Sequence, residues 1–264
     1  MKIKFIYFDL DNTLNSKAKG MEDISELLLK KLKKLIINNI RIGIATTRGL
    51  IRTKDIIGQI PTLPLIILNG GQIYLPNNKL VKSNPLNFRE KKLTLILIKQ
   101  NLSYIKYAAF YPEKSCYGKI FSKNQLIKNT FKTKYKHTLQ NPESVTENFD
   151  TFESWLLNSN TSMIEFSSKV SINNLNYSLN ISYDGINYIN ASRINKGSAI
   201  QYVCKKLGIN PSNLLVVGDS YTDIPMFRIN GVTSLSVGKN QLNTDYNIKS
   251  PKELDLFLSK FFKL

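Results

Sequence analysis

The chain predicts an α/β fold in two parts, a parallel sheet flanked by helices and an α+β domain inserted into it. Two observations carry this. At both ends, buried-strand patterns alternate with amphipathic helical segments, as in a sheet built from βαβ units. From about Ser83 to about Ile189 the alternation gives way to short strand-like pieces with two helices among them. A length of 264 residues accommodates a core plus such an insertion. The expected boundaries are 1–82 and 190–264 for the core and 83–189 for the inserted domain.

The elements follow in order. KIKFIYF is a buried strand, and EDISELLLKKLKKLIINN has apolar residues at helical spacing, with Asp23 and Ser25 near its start. RIGIAT is a second strand and LIRTKDIIGQI a second helix. PLIILNG is a third strand, ended by Gly70 and Gly71. QIYLPNNKLVK then reads as a hairpin turning at Asn77-Asn78. In the insertion, FREKKLTLILIKQNL and NFDTFESWLLN are helices. KYAAFYP, YGKIF, SMIEFSS and the pair YSLNISY and INYINAS around Asp184-Gly185 are strands. The alternation resumes with KGSAIQYVCKKLG (helix), NLLVVGDS (strand), DIPMFRIN (helix), GVTSLSVG (strand) and PKELDLFLSKFFKL (helix).

Composition narrows the function classes. A 42% hydrophobic and 10% aromatic content is that of a globular protein. No apolar stretch is long enough to cross a bilayer, so no membrane partner is expected. No signal-peptide pattern is present, and the two cysteines, Cys116 and Cys204, fit no metal or redox spacing; the expected compartment is the cytoplasm. The formal net charge of +18 could signal a polyanionic partner. The basic residues are nevertheless spread along the whole chain with Asn and Ile, and no basic-aromatic stripe occurs, which argues against nucleic acid. Long-range attraction would still favour small phosphorylated molecules. The sequence leaves the oligomeric state open.

Four short motifs carry the chemistry. Asp9-Leu10-Asp11-Asn12-Thr13 follows the first strand, where ligands bind in open parallel sheets, although an Asx turn closing a strand would use the same residues. Thr46-Thr47-Arg48 ends the second strand, where a hydroxyl and backbone amides could hold a phosphoryl oxygen or simply cap a helix. Asn195-Lys196-Gly197-Ser198 opens a helix, and a lysine there opposes the macrodipole, so either an anion or plain solvation accounts for it. Gly218-Asp219-Ser220-Tyr221-Thr222-Asp223 follows another buried strand. Together Asp9, Asp11, Asp219 and Asp223 would form a four-carboxylate cluster that needs a cation, and oxygen-only ligands select a hard ion such as Mg2+.

In this order FDLDNTL, IATTRG, NKGSAI and GDSYTD resemble the haloacid dehalogenase-like phosphohydrolase superfamily over the whole chain. NGG after the third strand and the long insertion resemble its Cof-type branch with a type-IIB cap. The resemblance implies a Rossmann-like parallel sheet core with an inserted α+β cap domain that closes over the core and selects the substrate. It implies Asp9 as nucleophile and Asp11 as acid and then base. Mg2+ would be held by Asp9, Asp11 (through its carbonyl) and Asp219, with Asp223 a ligand or an orienting group. Thr46, Thr47 and Lys196 would hold the phosphate, and Thr13 would support the loop.

Two positions depart from the family pattern: Thr47 stands where Gly is usual, and Thr222 where Asn is usual. Neither removes a nucleophile, acid or ligand, so activity is expected to survive. His137 is expected at the surface of the inserted domain and Trp155 in its core. Arg193 could reach a second anionic group or lie at the surface. The implied activity is a Mg2+-dependent phosphatase for small metabolites, sugar or polyol phosphates first. A phosphomutase of the phosphomannomutase type is the alternative, and a non-catalytic nucleic-acid-binding protein the third reading.

Overall fold

The structure is a computed structural model that describes residues 2–15, 24–58, 60–112, 116–121, 145–146, 148–168, 179–181, 186–239 and 242–264. The chain forms two compact units. One comprises Met1–Arg48, Thr53–Lys82 and Asn195–Leu264; the other comprises Gly49–Arg52 and Ser83–Ile194.

In the first unit the strands are β1 (Phe5–Phe8), β2 (Arg41–Ile44), β3 (Leu65–Ile67), β4 (Gln72–Tyr74) and β5 (Leu80–Ser83). In the second they are β6 (Ile105–Tyr111), β7 (Tyr117–Ile120), β8 (Val145–Thr146), β9 (Met163–Ser168), β10 (Leu179–Ile181) and β11 (Ile186–Ile189). The first unit resumes with β12 (Leu214–Gly218), β13 (Thr233–Val237) and β14 (Tyr246–Ile248). The helices are α1 (Glu26–Ile37), α2 (Leu50–Ile57), α3 (Phe88–Gln100), α4 (Phe149–Asn158), α5 (Lys196–Leu207), α6 (Ile224–Phe227) and α7 (Leu254–Phe262). None of these helices is long and apolar enough to cross a membrane.

Five strands form the main sheet in the order β14-β13-β12-β1-β2, all parallel. Ile6, Tyr7 and Phe8 on β1 and Leu214 to Val217 on β12 are fully buried, which explains their unbroken apolar runs: the sheet is covered on both faces. Tyr7 lies beside Gly43 of β2, where a Cβ would fall 2.3 Å from its ring, and its hydroxyl donates to the Pro64 carbonyl. α1 starts where Ser25 Oγ accepts from the Leu28 N–H, and it buries Leu28, Leu32 and Leu35, one helical face.

Two sequence expectations change, and one strand is new. PLIILNG extends the parallel sheet only through a bridge between Ala45 and Ile66, and its strand instead pairs antiparallel with β4. The cause lies one residue later, where Leu68 and Asn69 take left-handed backbone (φ 51° and 54°) and turn the chain away. The helix expected over DIPMFRIN shortens to the single turn of α6, which a 3-10 turn over Tyr221–Asp223 precedes. The polar strand β14 was not expected from its sequence. Asp245 just before it accepts from both the N–H and the hydroxyl of Ser234, and so docks it beside β13.

The second unit is a six-stranded sheet, β10-β11-β9-β6-β7-β8, antiparallel except for the last pair. Ala108, Phe110, Ile164 and Phe166 share one face and pack with Leu95, Ile98, Phe152 and Leu156 of the helices. Trp155, expected in the core of this domain, instead lies half-buried against the cluster, beside Tyr117. His137 and the Asp184-Gly185 turn fall outside the described residues.

α5 and α6 touch backbone to backbone at Gly197, where a Cβ would sit 2.2 Å from the Pro225 carbonyl oxygen. Gly197→Ala is therefore expected to lower stability by about 1–3 kcal/mol, the usual range for overpacking against a rigid neighbour. A urea titration reads this directly, and an unchanged midpoint would refute the contact.

Candidate active site

The carboxyl ends of the two central strands bring the acidic motifs together. Asp9 follows β1 directly, and its N–H donates to the Val217 carbonyl, fixing it beside the end of β12. Asp219 follows β12, and Asp223 closes the next turn. Asp223 Oδ2 accepts from the N–H groups of Asp219 and Ser220 (3.0 Å each) and from the Ser220 hydroxyl (3.1 Å). This folding-back needs Gly218, because a Cβ there would lie 2.5 Å from Asp223 Cγ.

Lys196 enters from the first turn of α5. Asn195 caps that helix, its side chain accepting from the Ser198 N–H while the Ser198 hydroxyl accepts from the Asn195 N–H. The ammonium, 1% exposed, donates to Asp9 Oδ1 and Asp223 Oδ1, each at 2.6 Å. The anions that explain a lysine at a helix start are, here, the chain's own carboxylates. Burial alone would lower the Lys196 pKa, but Asp223 and Asp9 more than reverse it, so the ammonium stays charged.

One ammonium does not balance three acids. Asp9, Asp219 and Asp223 each offer an oxygen, all within 4.8 Å of one another. Burial pushes the Asp9 carboxyl well above its ordinary range against the pull of Lys196, and Asp223, Asp219 and Asp11 push it the same way. Asp219 is pushed up to about 7, first by burial and then by Asp223, despite Lys196 and hydrogen bonds to Asp9 and Asn12. Such a group binds protons for want of another cation, and an oxygen-only set of this kind suits Mg2+. The residues present therefore fit a divalent ion.

Among the described residues, the expected four-carboxylate cluster is a group of three. Asp11 is not a member: its carboxylate is engaged by the Arg48 guanidinium, with Nε–Oδ2 at 2.8 Å and Nη2–Oδ1 at 2.6 Å. Thr46 is fully buried, and its hydroxyl accepts from the Arg48 N–H. Thr47 is half-buried. Thr13 is buried with its hydroxyl 3.4 Å from Asp219 Oδ1, Thr222 Oγ1 lies 2.8 Å from Ser220 Oγ, and Arg193 is exposed. Sequence reasoning did not anticipate the Arg48 fork, the Ser220 tether on Asp223, or the left-handed turn at Leu68–Gly70. Only the Asn-Gly-Gly run marked the last of these.

A family model described as haloacid dehalogenase-like hydrolase matches residues 6–236. An uncharacterised protein of Mycoplasma capricolum subsp. capricolum is 25% identical over 243 residues, 86% of this chain and 87% of that protein. Among solved structures, a haloacid dehalogenase-like hydrolase from B. subtilis aligns with a TM-score of 0.78 at 16% identity, covering 99% of this chain and 100% of the other. The superfamily phosphatase BT1666 from Bacteroides thetaiotaomicron aligns with a TM-score of 0.76 at 18% identity (99% and 96%). BT4131, a subclass IIB sugar phosphatase, aligns at 0.77 and 17% identity (98% and 99%). These structural likenesses establish a shared α/β fold with an additional sheet domain.

The Asp219 shift predicts how the metal-free protein responds to pH. Its carboxyl titrates near about 7 folded, against about 3.9 unfolded. Between those values the native state holds a proton that the unfolded state has lost, so stability falls as pH rises from about 4 to about 7. Asp219→Asn should lessen that decline, to which Asp9 also contributes, and raise the melting temperature in EDTA at neutral pH. It should also abolish any thermal shift on adding Mg2+. Melting curves across pH check both; an unaltered pH slope in the variant would contradict the assignment.

Proposed function

The chain belongs to the haloacid dehalogenase-like hydrolase family, and from that premise we propose a Mg2+-dependent phosphatase that hydrolyses small phosphorylated metabolites through an aspartyl-phosphate. It is an enzyme of the phosphoric monoester hydrolase class. The observation that carries the fuller reading is the meeting of Asp9, Asp219, Asp223 and Lys196 at the carboxyl ends of β1 and β12.

Asp9, Asp219 and Asp223 would hold the ion, joined by the Asp11 carbonyl. When bound, it supplies the positive charge that lets an ionised carboxylate approach a phosphate dianion. The chain's residues account for the rest. The Asp9 oxygen forms a bond to phosphorus as the ester bond breaks, and Asp11 gives its proton to the departing alkoxide. Water then attacks phosphorus and passes a proton back to Asp11. The Asp9–phosphorus bond breaks, and phosphate leaves. Lys196 and Thr46, with the neighbouring Thr47, would hold the phosphoryl oxygens on which charge gathers. Lys196 already faces Asp9, so its ammonium lies where an attacked phosphoryl group would come.

Sugar and polyol phosphates are the first candidate substrates, supported by the fold shared with a sugar phosphatase and by a +18 chain that attracts anions. The low cysteine count, Cys116 and Cys204, suits the reducing cytoplasm.

The test is phosphate release from a panel of phosphomonoesters, with Mg2+ or EDTA, for the wild type and Asp9→Asn. Turnover should require the metal, and the substitution should reduce kcat by at least about 1,000-fold, since no other group in this reading takes up the phosphoryl group. Phosphate transfer between positions of one sugar, without release, would replace this reading with a phosphomutase. Folded, metal-loaded protein that neither releases nor transfers phosphate would overturn it.

A further inference from the structure

We propose that Arg48 is a positioning residue for Asp11, holding the ionised carboxylate that takes the proton from the attacking water in the same frame as the phosphate-binding Thr46. The proposal rests on the reading of Asp11 and Thr46 given above. It starts from the fork between the Arg48 guanidinium and both Asp11 oxygens, at 2.8 and 2.6 Å. A two-point contact fixes the plane of a carboxylate as well as its distance, which a lysine's single ammonium does not. The arginine side chain is 5% exposed, whereas Asp11 is 22% exposed. The guanidinium is therefore the anchored partner and the carboxylate the one being held.

Both ends of the fork are braced. On the Asp11 side, the Leu10 carbonyl accepts from the N–H groups of Thr13, Leu14 and Asn15. Asn12 takes left-handed backbone (φ 57°), with its N–H on Asn15 Oδ1. That loop fixes the Asp11 backbone and leaves side-chain rotation as the freedom that the fork removes.

On the other side, the Arg48 N–H donates to Thr46 Oγ1 and its carbonyl accepts from the Leu68 N–H. The Asn69 N–H donates to the Thr46 carbonyl. Leu68, Asn69 and Gly70 all have positive φ, a run that persists only where its surroundings hold it. Gly70 in turn lies so close to the Asn195 carbonyl that a Cβ would come within 2.4 Å of it. One strained turn thus sets the backbone of Thr46 and Arg48 and abuts the start of the Lys196 helix. Arg48 carries that placement across to Asp11.

The experiment is steady-state hydrolysis of p-nitrophenyl phosphate and of the best natural-type phosphomonoester with Mg2+. It compares the wild type, Arg48→Ala, Arg48→Lys, Asp11→Asn and the Arg48→Ala/Asp11→Asn double variant, with melting curves reporting folding. A misplaced base should lower kcat about 10- to 100-fold in Arg48→Ala while KM stays within about threefold. Arg48→Lys should recover little of the loss. Added methylguanidinium should restore part of kcat to Arg48→Ala and none to Asp11→Asn, and the double variant should be no slower than Asp11→Asn alone. If Arg48→Ala does not fold, Arg48→Lys with the same kcat loss at unchanged KM carries the comparison.

Undiminished kcat, a loss confined to KM, or a loss that multiplies with that of Asp11→Asn would each overturn the positioning role. An inactive wild type would overturn the phosphatase reading and this role with it; an active wild type beside an indifferent Arg48→Ala would overturn this role only.

Discussion

The first unit turns on one electrostatic problem: among the described residues, three carboxylates gather in a buried space around the Lys196 ammonium. Removing ionised groups from water is costly unless each finds a partner, and acids placed side by side repel as well. Lys196 bridges Asp9 and Asp223, and burial still pushes the carboxyls of Asp9 and Asp219 above their ordinary range. A site arranged in this way is poised to accept positive charge. In the proposed reading it is also a poor place for a phosphate until that charge has arrived.

Holding the acids so close requires the backbone to come closer than most side chains allow. Gly218 admits the Asp223 carboxylate over the end of β12, Gly197 admits the turn at Pro225 beside the Lys196 helix, and Gly70 admits the Asn195 carbonyl. Each glycine sits within one of the acid, lysine or turn segments, and at each a methyl group would strike backbone or a carboxylate. The buried runs of β1 and β12 do the complementary work. Paired in parallel and covered on both faces, they end in register, so that Asp9 and Asp219 emerge side by side.

The parallel core was legible because its signals are redundant: apolar runs, helical spacing and strand-end acids all agree. β14 was not, because its stability comes from the Asp245–Ser234 contact and its position beside β13. β3 was half legible. Its apolar run reads as a strand, but the turn at Leu68 and Asn69 that redirects its partner depends on non-glycine residues held left-handed by the surrounding fold. The meeting of Asp9, Lys196, Asp219 and Asp223 could be inferred from four motifs in order. The separation of Asp11 could not, since adjacency in sequence to Asp9 says nothing of which cation each acid finds. An arginine 37 residues away decided it.

The Asp223 turn shows how a departure from the family pattern is absorbed. Thr222 is too short to reach as far as the asparagine usual at that position. Its hydroxyl instead meets Ser220, and Ser220 already gives both its N–H and its hydroxyl to Asp223. With the Asp219 N–H on the same oxygen, Asp223 Oδ2 is occupied by fixed donors and Oδ1 is left to Lys196. A carboxylate fastened through one oxygen presents the other in a defined direction. The turn therefore orients its acid toward Lys196 and Asp9 with donors of its own, and that orientation needs no amide at position 222.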